Sequence, residues 1–287
     1  MIGVLLLHGS SGTPDSDRAR LLQAEGCDVL APRWTVTHEV PLESFPLDEL
    51  AAHDRLVVIG SSWGAEAALL LGALDERVDA VVAFAPSAYV WGRVLEDGSQ
   101  RSAWTWRGEP LPFVPFDPDW AATDEPPSYV GLYRQSVATY ADAERARIPV
   151  ERIRDVLLVA GGDDQVWPAV EFAEEIARRR GDLPTRIVTV PEAGHRAVLP
   201  GEDPKTAGQR MARGGTAAAD RELGGLAWPE ILRLLADGLS SSPGLMGSGR
   251  IAAWDCSADR AARRRTMLPS PRREADCPRT MSIRCGS

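Results

Sequence analysis

Five residues, Gly60, Ser61, Ser62, Trp63 and Gly64, carry the densest chemical signal in this chain. They lie between an apolar run, "RLVVIG", and an Ala- and Leu-rich stretch, "AEAALLLG". G-x-S-x-G between a strand and a helix is the pattern of a nucleophile elbow, a turn so sharp that its central residue takes a strained backbone geometry. The glycines avoid clashes there, and Ser62 is expected to lift its hydroxyl above the strand end. Ser61 is expected to point away and serve structure. A serine hydroxyl is a poor nucleophile at neutral pH and needs a base. The chain order around such an elbow is nucleophile, then acid, then histidine. Of the four histidines, His8, His38, His53 and His195, only His195 follows Ser62.

The acid is expected at the end of the strand before that histidine, where "LLVAGGDDQVWP" offers Asp163 and Asp164. The reading takes Asp164 as the acid and gives Asp163 a role in capping the following helix. No His or Glu is spaced to complete a metal site around the pair, so neither metal nor cofactor is expected. Two backbone N–H groups should hold the oxyanion, one from Trp63 and one from Ser10 in the loop "HGSSG". Losing one such donor typically costs about 2–4 kcal/mol of transition-state stabilisation. His8 in that loop is read as structural.

These residues need a scaffold that brings strand ends together. Six short apolar segments read as strands: "GVLLLHG", "CDVLAPRW", "RLVVIG", "VDAVVAFAP", "RDVLLVAGG" and "TRIVTVP". Helical spacing falls on "PDSDRARLLQAEG", the short "PLDELAAH", residues 65–73, about 130–147, "PAVEFAEEIARRRG" and "AWPEILRLLADGL". Val- and Leu-rich strands alternating with helices imply an α/β fold, a mostly parallel sheet covered on both faces. Residues 86–150 break the rhythm with eight of the 22 prolines and four of the nine tryptophans. So long an insertion is uncommon unless functional or disordered, and its aromatics argue for a cap over a site. Residues 1–239 are thus expected to form one catalytic domain.

Residues 240–287, rich in Ser, Pro, Gly and Arg, are expected to be a disordered basic tail, although a shifted reading frame would look the same. The tail holds nine arginines against four acids, within a chain of net charge −9. That acidic balance argues against nucleic acid as the main partner. No apolar run is long enough for a membrane span, and residues 1–7 read as a first strand, not a signal peptide. Three of the four cysteines (Cys27, Cys256, Cys277, Cys285) fall in the last 32 residues, in no metal-ligand spacing. A reduced, cytoplasmic protein with a small-molecule substrate is expected; the oligomeric state is open.

With these residues placed, the chain resembles the C-terminal catalytic domain of the acyl-CoA thioester hydrolases and bile acid-CoA:amino acid N-acyltransferases, closest to the bacterial single-domain members. The resemblance is carried by "SSWGAEAALLLG", "AVVAFAPSAYVWG", "SAWTWRGEPLPFVP", "IPVERIRDVLLVAGGDDQVWP", "VPEAGHRAVLPGEDP" and "GGTAAADRELGGLAWPEILRLL". It implies an α/β-hydrolase fold, related to the dienelactone hydrolases, and maps a triad onto the same Ser62, Asp164 and His195. It further implies cleavage of acyl thioesters or related esters through an acyl-enzyme. Trp91, Trp104, Trp106, Phe113 and Phe116 are expected to line an acyl pocket under the cap or to pack the cap onto the core. Trp63 stands where relatives usually carry Lys or Arg. Ser62 stands where the acyltransferases use Cys, which tilts the reading toward hydrolysis over acyl transfer. A dienelactone hydrolase-like carboxylesterase and a non-catalytic binding module are the alternatives. The N-terminal β-sandwich of eukaryotic relatives and the first two strands of the usual sheet have no counterpart; either the sheet is short at that edge or the start lies upstream.

Overall fold

A computed structural model of the protein describes residues 1–35, 37–205 and 209–236. Six strands, β1 (Ile2–Leu7), β2 (Asp28–Leu30), β3 (Arg55–Ser61), β4 (Ala80–Phe84), β5 (Asp155–Gly161) and β6 (Thr185–Val190), form the central sheet. Their order is β6-β5-β4-β3-β1-β2, and every neighbouring pair is parallel. All six lie where the apolar runs place them. Because successive side chains of a strand point to opposite faces, these runs feed two cores at once. Leu5, Leu7, Val58, Val81, Ala83 and Leu158 face one way; Val4, Leu6, Val57, Ile59, Val82, Phe84 and Val159 face the other.

Five helices cover the faces: α1 (Ser16–Ala24), α2 (Trp63–Leu74), α3 (Val130–Thr139), α4 (Ala169–Arg180) and α5 (Ala217–Ala236). Helix α2 is buried on all sides, as its uniformly apolar sequence requires. Phe172 and Ile176 of α4 join the same core as α2. Leu223, Ile231 and Leu234 of α5 pack on the opposite face with Leu22 of α1.

Three helices differ from the sequence reading. "PLDELAAH" holds only a 3-10 turn, Leu47–Leu50. The helix expected over 130–147 ends at Thr139, and a 3-10 turn, Ala143–Ala146, follows. The chain leaves the helical path there to pair with residues 88–90: Val90 N donates to Ala146 O at 2.8 Å, and Ile148 N to Ala88 O at 3.1 Å. Helix α5 begins ten residues before the segment that was expected to hold it and runs through Pro229. Its start is set by Thr216, whose Oγ1 accepts from Ala219 N at 3.1 Å.

Within 86–150 the strands Gly92–Val94 and Gln100–Ser102 make an antiparallel hairpin. Trp104–Trp106 pairs with Val40–Pro41 and with Glu109–Pro110. Glu66 of α2 fastens this segment to the main body: its Oε1 accepts from Trp91 N at 2.9 Å and Trp104 Nε1 at 2.8 Å. Cys27 is a buried free thiol, and the other three cysteines lie outside the described residues, as does the expected tail over 240–287. Among the described residues no helix is long and apolar enough to cross a membrane.

Candidate active site

Strand register brings the expected residues to one edge. Leu7 pairs with Gly60, and Ser61 with Phe84, so β1, β3 and β4 end side by side. The residue after β3 is Ser62, with φ 57° and ψ −121°, a conformation that side chains other than glycine rarely adopt. It is held there by backbone bonds, Ser62 N to Phe84 O at 2.8 Å and Ala65 N to Ser62 O at 2.8 Å. The flanking glycines make the turn possible by close approach. A Cβ on Gly60 would lie 2.0 Å from Gly64 O, and one on Gly64 would lie 2.4 Å from Leu7 O. Although Ser62 precedes the first residue of α2, its hydroxyl makes no bond to the helix end.

Asp164 and His195 meet directly: His195 Nδ1 lies 2.7 Å from Asp164 Oδ2, and both side chains are buried. Asp164 is fixed by its other oxygen, which accepts from Val166 N at 2.8 Å and Trp167 N at 3.3 Å. The imidazole also lies against the Trp167 ring, with centroids 5.8 Å apart. Helix α4 has no side-chain cap, so Asp163 does not take the capping role given to it. Its carboxylate instead accepts from Gln165 Nε2 and from Gly215 N. Residues 213–215 wedge between the acid and histidine turns: His195 N donates to Arg213 O at 2.9 Å. Gly214, at φ 66°, passes so close that a Cβ there would sit 1.5 Å from Asp163 O. This wedge was missed in the sequence, where "RGGT" was the available signal.

Ser62 and His195 share the wall of one cavity of about 610 Å³, and so do Ser10 and Trp63. No hydrogen bond joins Ser62 to His195. The loop after β1 presses on Ser62, since a Cβ on Gly9 would lie 3.2 Å from Ser62 Cβ and 3.8 Å from its Oγ. His8 sets the orientation of that loop. It is fully buried, stacks on Trp34 and accepts from Trp34 N through Nε2. Its Nδ1 therefore carries the proton and donates to Gly9 O at 2.6 Å. Burial lowers the pKa of His8, which keeps it neutral. A trans peptide sets C=O and N–H in opposite directions, so the Ser10 N–H is turned away from the ring that holds the Gly9 carbonyl.

Of the five aromatic residues expected around an acyl pocket, only Phe116 reaches the cavity. Trp91 and Trp104 are fully buried, with their indole N–H groups spent on Ser87 Oγ and Glu66 Oε1. Trp106 packs at the margin of the core under Arg107. Phe113 lies against Gly92 and lines a separate surface hollow. The apolar wall comes instead from Phe84, Phe116, Tyr129, Leu132, Tyr133 and Val166.

Ser61 does not stand idle. Its hydroxyl accepts from Arg18 Nη1 at 3.1 Å. Arg18 is 4% exposed and forms a two-pronged pair with Glu202, at 2.7 and 3.0 Å, and its Nη2 also donates to Ala197 O. This pair pins α1 and the elbow to the loop that follows His195, and sequence reading missed it because its members are 184 residues apart. Among the described residues no cluster of His, Cys, Asp and Glu could hold a metal ion.

Residues 4–207 match the family model described as the alpha/beta hydrolase family. No curated protein matches the chain. Among solved structures, the esterase domain of a Rhodothermus marinus protein is similar at 17% identity and a TM-score of 0.46, over 80% of this chain and 86% of that one. A dienelactone hydrolase-like promiscuous phosphotriesterase from metagenomic libraries is similar at 16% identity and a TM-score of 0.45, over 83% and 86% of the two chains.

Proposed function

The chain belongs to the alpha/beta hydrolase family, and on that premise we propose that it is a serine hydrolase cleaving acyl thioesters through an acyl-enzyme. The observation that carries this reading is the buried 2.7 Å bond between Asp164 and His195 on a cavity shared with the strained Ser62. The hydroxyl oxygen of Ser62 attacks the acyl carbonyl carbon while its proton passes to Nε2 of His195. Asp164 holds the ring by Nδ1 and stabilises the imidazolium without taking the proton. The N–H groups of Trp63 and Ser10 receive the oxyanion. The C–S bond then breaks, and the departing sulfur takes the proton from His195. Water repeats the attack on the acyl-enzyme, releasing the carboxylic acid and returning the proton to Ser62. Residues 86–150 act as the cap, with Phe116, Tyr129, Leu132 and Tyr133 against the acyl chain.

The thioester preference rests on the sequence resemblance, whereas the serine chemistry rests on geometry. One experiment separates them. Hydrolysis of a series of acyl-CoA thioesters is compared with that of 4-nitrophenyl esters of the same acyl groups. The thioesters are expected to give the higher kcat/KM. Turnover of the oxygen esters alone would make the protein a carboxylesterase and leave the roles of Ser62, Asp164 and His195 unchanged.

A further inference from the structure

The cavity wall carries several cations, and most are answered by a partner. Arg18 is matched by Glu202 and Lys205 by Asp15, while Arg213 donates to the carbonyls of Met211 and Gln209. Arg93 stands apart: it lines the cavity with Ser62 and His195, and among the described residues no carboxylate or carbonyl pairs with its guanidinium. Its one close partner is the indole of Trp63, with the guanidinium carbon 5.2 Å from the ring centroid. Trp63 directly follows Ser62, and all three residues line the same cavity. The Gly92–Val94 hairpin strand fixes the backbone of Arg93.

The electrostatics favour an incoming anion. The buried carboxyl of Glu66 spends Oε1 on Trp91 and Trp104. Burial pushes its pKa up to about 8, opposed by the bonds from Trp91 and Trp104 and by the charge of Arg93. The acids of the wall, Asp15, Asp17, Glu202 and Asp203, come from other segments; the insertion that carries Arg93 contributes only Phe116, Tyr129, Leu132 and Tyr133 beside it. A guanidinium among aromatic walls is poorly screened and matches a carboxylate with two parallel N–H donors. We propose that Arg93 recognises a carboxylate borne on the acyl part of the substrate, as in the half-thioester or half-ester of a short dicarboxylic acid. This inference rests on the hydrolase reading above for the term "acyl"; the anion site itself does not.

The test pairs mono-4-nitrophenyl glutarate with 4-nitrophenyl pentanoate, which differ only in carboxylate against methyl at the chain end. The ratio of their kcat/KM values is read within one preparation, so the folded fraction cancels. In Arg93→Gln this ratio is expected to fall by about tenfold or more, and in Arg93→Lys by less, because lysine keeps the charge but loses the fork. Calorimetric titration of free glutarate is expected to show binding to the unsubstituted protein and about tenfold weaker binding to Arg93→Gln. A ratio unmoved by Arg93→Gln, or glutarate that binds both proteins equally or neither, overturns the assignment. If the unsubstituted protein turns over neither ester, the glutarate titration alone decides the fate of the anion site, and the hydrolase reading is decided separately by the acyl-CoA series.

Discussion

Glu66 illustrates how one residue can serve the site without touching substrate. It lies one helical turn past Ser62, is fully buried, and binds two groups of the 86–150 insertion through a single oxygen. Its second oxygen, Oε2, is buried without a partner. Desolvation raises its pKa from 4.5 to about 8, opposed only in part by the bonds from Trp91 and Trp104. The folded state therefore holds this proton more tightly than the unfolded chain does. Stability from this group is full below pH 4.5 and is lost as pH rises toward 8. Each pK unit is worth about 1.4 kcal/mol, so the loss is on the order of a few kcal/mol. Chemical unfolding at pH 5 and pH 8 should show that decline, and Glu66→Gln should flatten it; an unchanged slope in the variant would refute the role given to burial.

At the scale of elements, the site is a problem of joining loops. The acid and histidine turns are clamped by the 213–215 wedge, and the elbow is tied to the histidine loop by Arg18 and Glu202. Removing one member of a buried ion pair strands the other charge, at a cost of about 3–5 kcal/mol. Arg18→Met should lose that much in denaturant unfolding, and adding Glu202→Leu should recover a large part of it. A double variant whose loss equals the sum of the Arg18→Met and Glu202→Leu losses would mean that the pair contributes nothing as a pair.

The elements themselves were largely legible. All six strands follow from local apolar runs, and the elbow from its glycines. The start of α5 was not legible, because Gly224, Gly225 and Pro229 interrupt its pattern while Thr216 sets its beginning. The pocket aromatics were not legible either. Trp91 and Phe116 stack on each other, yet only Phe116 meets the cavity. Which way an aromatic side faces is fixed by partners distant in sequence, and no spacing rule records that.

Across the whole molecule, two cores press on one parallel sheet and leave the carboxyl ends of its strands as the edge where loops gather. Ligands of open α/β sheets bind at that edge. Residues 62, 164 and 195 follow the ends of three strands of one hydrogen-bonded parallel sheet. Residues of the insertion and the Arg18–Glu202 pair both line the cavity. The proposed reaction requires Ser62 to become acylated. Rapid quenching of the protein during turnover of a slow 4-nitrophenyl ester, followed by peptide mass analysis, tests it most directly. One acyl group per chain is expected, carried on Ser62 and absent from Ser62→Ala. An adduct on another residue, or full-rate hydrolysis by Ser62→Ala, would contradict it.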